Sequence, residues 1–109
     1  MRIVLYTLAT LVLASAALTA QARNLKDNER FVCQWGSGIA GNAQAYKLSG
    51  ISRYGARQKV QSRRFEKQWM RRMALGITEQ TYDSATRMQP NRVKQIYFDD
   101  CIRHEMARR

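Results

Sequence analysis

Strand patterning is missing from this sequence. No stretch alternates apolar and polar residues for long enough to propose a β-strand, which excludes a sheet. The single histidine, His104, makes a poor metal centre, and the oxygens of Asp99, Asp100 and Glu105 match no known ligand spacing. No C-x-x-C motif exists to activate a thiol. Acidic residues are scarce, eight against 19 basic ones. After residue 22, no apolar run is long enough to span a bilayer, which takes about 20 residues.

The first segment has the three parts of a secretory leader. Met1-Arg2 supplies the charge, Ile3 to Ala20 the apolar run, and Ala20-Gln21-Ala22 a small-x-small cleavage site. An uncleaved anchor is the rival reading, and the Ala-x-Ala site favours cleavage. No Cys near the site would accept a lipid. Residues 1–22 are thus expected to be a cleaved signal peptide and 23–109 a single domain, periplasmic or secreted. Of the 19 basic residues only Arg2 precedes the cleavage site, leaving 18 against eight acids, a net +10. Such a surface favours anionic partners. Export argues against nucleic acid.

Two cysteines in an exported chain read as one disulfide, Cys33 to Cys101. A free-thiol enzyme is the alternative. In the chain-entropy model, closing so long a loop stabilises by about 4 kcal/mol. A domain this small cannot rely on its hydrophobic core alone, so that contribution is large.

Helical periodicity runs through the rest. Asn24 or Asp27 could cap a first helix reaching Leu48, with Val32, Trp35, Ile39, Ala43 and Tyr46 on one side. Gly36, Gly38 and Gly41 interrupt it, and close approach of another helix would explain them. Gly50 reads as its stop. Ser52 can cap a second helix over Arg53–Leu75, with Tyr54, Phe65, Trp69 and Met73 on one face. Arg53, Arg57, Arg64, Lys67 and Arg71 form a basic stripe opposite, widened by Arg63 and Arg72. Gly76 would end that helix. Thr78 would cap a short third one over Glu79–Met88, with Ile77 and Tyr82 as a hydrophobic staple. Pro90 suits the first turn of a fourth helix. There Val93, Ile96, Tyr97, Asp100, Cys101 and His104 share a face. The expected fold is all-α, a compact bundle of about four helices with one disulfide between the first and the last.

The order Cys33, Ala40, Ala43, Lys47-Leu48-Ser49-Gly50-Ile51-Ser52, Tyr82, Pro90 and Cys101 resembles a loose group of small exported proteobacterial proteins of unknown function. Those also place one Cys in the first helix and one in the last. The second helix here is richer in Arg than their pattern. The resemblance implies a periplasmic setting and no catalytic residue.

Three features could carry chemistry. Gly36-Ser37-Gly38-Ile39-Ala40-Gly41 spells G-x-G-x-x-G, but a dinucleotide site needs a strand before it and an acid about twenty residues on. Position 61 is Gln and no second strand follows, so helix packing is the better account. Asp100 and His104 are four apart and could form a pH-sensitive pair, since an imidazole titrates near neutrality. No nucleophile completes an acid–base set once Cys101 is oxidised. The basic stripe is the third and strongest feature. The plain alternative is that its arginines simply face water while Phe65, Trp69 and Met73 pack in the core.

The sequence therefore points to a protein that is not an enzyme and requires no cofactor. It would bind an acidic protein or an anionic envelope surface through the basic helix, with its oligomeric state left open. A stress or chaperone-like protein and an immunity-type inhibitor of a periplasm-targeted toxin are the alternatives.

Overall fold

The computed structural model describes residues 26–108. The expected leader and cleavage site, Asn24 and Arg109 lie outside the described residues. Four helices follow in order: α1 (Asp27–Leu48), α2 (Arg53–Gln61), α3 (Gln68–Asp83) and α4 (Pro90–Ala107).

The central helix is α1. Asp27 is its first helical residue rather than its cap, and with Glu29 it complements the positive end of the helix dipole. At the other end Gly50 takes φ +84°, a left-handed conformation that suits a residue without Cβ. The Gly50 amide donates to the Lys47 carbonyl and the Ile51 amide to that of Tyr46, at 3.1 and 3.0 Å. That is the paired closure of a Schellman stop. Ser52 then caps α2, accepting from the Gly55 amide at 3.0 Å.

Two partners lie against α1. α4 runs antiparallel to it, fixed by the Cys33–Cys101 disulfide, whose Cα atoms are 5.5 Å apart. α3 runs parallel to it, with Trp35 beside Trp69 near one end and Lys47 bonded to the Thr81 carbonyl near the other. α2 folds back antiparallel on α3, through Arg57 to Glu79 and Arg53 to Asp83. The α3 and α4 backbones do not meet, so a groove floored by α1 opens between them. The result is an all-α four-helix globule with its first and last helices linked covalently.

Small residues make this packing possible. Cys33, Ala40, Ala43, Ala56 and Ala74 are buried, with Ile39, Val60 and Ile77 as the larger apolar members. Trp35, Met73, Val93 and Tyr97 pack around them, half-buried. The G-x-G-x-x-G stretch is interior helix. A Cβ on Gly36 would come within 2.9 Å of the Tyr97 ring, and one on Gly41 within 3.4 Å of the Pro90 carbonyl. Close approach of α4 thus accounts for two of the three glycines, while Gly38 faces open space.

The expected second and third helices are redrawn. A single helix over 53–75 does not form, and the chain leaves helical geometry between Gln61 and Gln68. α3 then runs through Gly76 and Thr78, where a stop and a cap were expected. Thr78 Oγ1 donates to the Ala74 carbonyl at 2.7 Å instead of capping. Ile77 and Tyr82 are therefore not a staple, and Tyr82 Oη donates to the Ile51 carbonyl at 2.7 Å.

The break has a physical cause. The buried face of α2 is Ala56 and Val60, and that of α3 includes Ala74, Thr78 and Thr81. At 3.6 residues per turn these positions share one helical phase. Between them the same phase is occupied by Arg63 and Lys67, with Arg64 at its edge. An unbroken helix would turn those cations toward the core, at a desolvation cost of several kcal/mol for each buried ion. Folding back keeps both apolar faces buried and carries the basic middle to the tip of the α2–α3 hairpin.

Candidate functional site

The five residues expected to form a basic stripe do not share one surface. Arg53 and Arg57 lie on α2 and are neutralised by α3. Arg53 reaches Glu79 at 2.9 Å and Asp83 at 2.6 Å, and Arg57 bonds the other oxygen of Glu79. The hydrogen bond from Arg57, followed by that from Arg53, holds the Glu79 carboxyl below the usual glutamate range. These arginines form a clamp between helices.

Arg64 and Lys67 stand in the connector between α2 and α3, and Arg71 is in the opening turns of α3. Arg63 and Arg72 join them there. Ser62 ends α2, its hydroxyl donating to the Gln58 carbonyl. Arg71 returns to the connector and donates to the Arg63 carbonyl at 3.3 Å. Arg64, Lys67 and Arg72 are exposed and take no ion pair among the described residues. Over residues 62–72 the one acid is Glu66.

Aromatic rings support these cations. Phe65 meets Trp35 edge-on at 6.2 Å, and Trp35 meets Trp69 at 5.9 Å. The guanidinium groups of Arg63 and Arg71 lie 5.5 and 5.8 Å from the Phe65 ring centre, within cation–π reach. Phe65 is half-buried, whereas Trp69 is 37% exposed. Phe31, four residues before Trp35 and so on the same side of α1, is 52% exposed. No acid occupies the first turn of α3 and no side chain caps it, so its positive dipole end adds to the local field.

The pair on α4 is engaged differently from expectation. Asp100 accepts from Arg103 at 2.6 Å, one turn along, rather than from His104. His104 is exposed and lies with Asp100 at the edge of a shallow depression between α4 and α3. Among the described residues no three His, Cys, Asp or Glu side chains are grouped so as to hold a metal ion. Cys101 is bound in the disulfide.

A second polar device went unread in the sequence. Gln44, fully buried on α1, donates to the carbonyls of Thr86 and Met88 at 3.2 and 2.8 Å. Lys47 donates to those of Thr81 and Ser84 at 3.0 and 2.8 Å. Burial and then Arg87 lower Lys47 below the usual lysine range. Together they fasten the end of α3 and the 84–89 connector to α1. No local signal marks such a contact, because donor and acceptor lie some forty residues apart.

Set against protein-family models, curated proteins and solved structures, the chain finds no significant match in any of the three.

Proposed function

We propose that this is a non-enzymatic, exported binding protein that engages an anionic partner through the tip of its α2–α3 hairpin. The partner is an anionic envelope component or an acidic protein. The observation that carries this reading is the company of five cations, Arg63, Arg64, Lys67, Arg71 and Arg72, around one connector containing a single acid. The remaining members of the expected stripe, Arg53 and Arg57, already have carboxylate partners and serve the fold. The disulfide and the leader-like sequence are consistent with an oxidising periplasmic setting.

Charge-driven association weakens as salt shortens the screening length from about 10 Å at 0.1 M to about 3 Å at 1 M. The test is capture of the disulfide-bonded protein on immobilised anionic vesicles and, separately, on polyglutamate, at 0.05 and 0.5 M salt. Arg64→Gln, Lys67→Gln and Arg72→Gln are combined in one variant. The expected result is retention that falls with salt and is lost in the triple variant. Retention on neither matrix, or retention indifferent to both salt and the substitutions, would overturn the reading.

A further inference from the structure

Resting on the proposed cationic binding tip, we infer that its partner is an anionic lipid bilayer, and that Trp69 enters the headgroup layer while the surrounding arginines hold phosphates.

Charge alone would not separate a bilayer from an acidic protein. The aromatic residues do. Trp69 leaves 37% of its surface in water at the start of α3, directly behind Lys67. Phe65 lies in the same connector, with Arg63 and Arg71 across its ring. Phe31 leaves 52% of its surface exposed on the neighbouring turn of α1. Large apolar rings and guanidinium groups are thus interleaved within one short segment. A bilayer edge offers the two matching chemistries in adjacent layers: phosphate outside, glycerol and acyl carbon beneath. Indoles favour that boundary because one edge is apolar and the N–H still needs a partner. Guanidinium matches phosphate with two parallel hydrogen bonds. Arginine stems can also lie along an apolar surface while their heads stay in water.

The hairpin turn between α2 and α3 presents Arg64, Lys67 and Arg72 outward with no carboxylate partner among the described residues. Behind the tip, Trp35 holds the Phe65 and Trp69 rings edge-on, so both aromatics are positioned before any contact. Insertion then orders few side chains. None of the described helices is long and apolar enough to cross a membrane, so the contact is peripheral. This is the two-signal arrangement of interfacial proteins, a modest apolar insertion reinforced by several cations.

The test uses the full disulfide-bonded chain with vesicles of phosphatidylglycerol and phosphatidylethanolamine, or of phosphatidylcholine alone. Trp35 and Trp69 are the only indoles. Trp35→Phe keeps a ring at that position and leaves Trp69 as the reporter. Because both indoles lie in the one cluster, the wild-type emission gives the same readout if that variant folds poorly. Expected are a blue shift and quenching by acyl-brominated lipid in anionic vesicles, with neither in phosphatidylcholine. A cation near an anionic surface contributes about fivefold in affinity, so the triple Gln variant should bind about a hundredfold more weakly. Trp69→Ser should weaken vesicle binding by a larger factor than polyglutamate binding. Salt-sensitive vesicle binding without a blue shift or quenching overturns the insertion and leaves charge-driven binding standing. Retention on polyglutamate but not on vesicles replaces the bilayer with an acidic protein. Retention on neither overturns both.

Discussion

Gln44 concentrates the largest polar stake in a single side chain. It is fully buried, its amide nitrogen serves two connector carbonyls, and its Oε1 finds no hydrogen-bond partner among the described residues. Replacement by leucine keeps the volume, strands the Thr86 and Met88 carbonyls and relieves the orphaned oxygen. Each lost hydrogen bond contributes about 1 kcal/mol, so Gln44→Leu should destabilise by about 1–2 kcal/mol net. A urea midpoint would register that loss, and amide exchange would quicken through 84–89 ahead of the rest. Glycines supply the opposite sign. Gly76 is exposed, interior to α3, and a Cβ there meets nothing within 4 Å. Gly76→Ala should stabilise by about 1 kcal/mol, worth several degrees in thermal midpoint for a domain of this size. The same change at Gly36 runs into the Tyr97 ring, where overpacking of about 1–3 kcal/mol outweighs the helical gain. A thermal midpoint for Gly36→Ala at or above the wild-type value would refute that contact as the reason for the glycine.

At the scale of elements, Glu79 holds the hairpin closed. It receives Arg57 and Arg53 from α2 on separate oxygens. Its folded-state carboxyl is held below the usual range, so its contribution is present above the unfolded glutamate value of about 4.3. That contribution is lost as pH falls below this value and through the lowered folded one. Urea midpoints from pH 6 to pH 2 should therefore drop in the acid limb, and Glu79→Gln should flatten that limb. An unchanged slope in the variant would show that the clamp contributes nothing. The elements also show what a sequence can and cannot disclose. The Gly50 stop, the Ser52 cap and Pro90 as the first helical residue of α4 were all legible, because each depends on chemistry within one turn. The break after Gln61 was not. No glycine or proline marks it, and the wheel of 53–75 looks amphipathic taken by itself. The reason lies in register: Ala56, Val60 and Ala74 need the same side, and the arginines between them cannot go there. Reading Tyr54 as apolar face rather than exposed surface hid that phase. For the same reason Arg53 and Arg57 looked like members of a binding stripe, since their partners Glu79 and Asp83 arrive only after the chain folds back.

For the molecule as a whole, the disulfide bears most on α4. None of its residues is fully buried, and its apolar side chains Val93, Tyr97 and Ile102 are only half-covered. Its backbone lies against α1 and not against α3, which it meets only through side chains such as Val93 and Tyr97. Cys33, by contrast, is fully buried. The Cys33–Cys101 bond closes a loop with a sequence separation of 68, which in the chain-entropy model stabilises by about 4 kcal/mol. The total margin of small domains is about 5–15 kcal/mol, so this one cross-link supplies much of it. It also lies toward the C-terminal end of α4, a helix with no fully buried residue, so its loss should not be felt evenly. Reduction, or Cys33→Ser with Cys101→Ser, should lower the urea midpoint steeply. Amide protection should vanish first along α4, while α1 and the α2–α3 hairpin retain theirs longer, since Glu79, Gln44 and Lys47 do not depend on the disulfide. Hydrogen exchange before and after reduction measures this directly. If α4 kept its protection in the reduced chain, its side chains would be holding it unaided. If all four helices lost protection together, the fold would be a single cooperative unit, with the cross-link acting on the unfolded chain rather than on α4 alone.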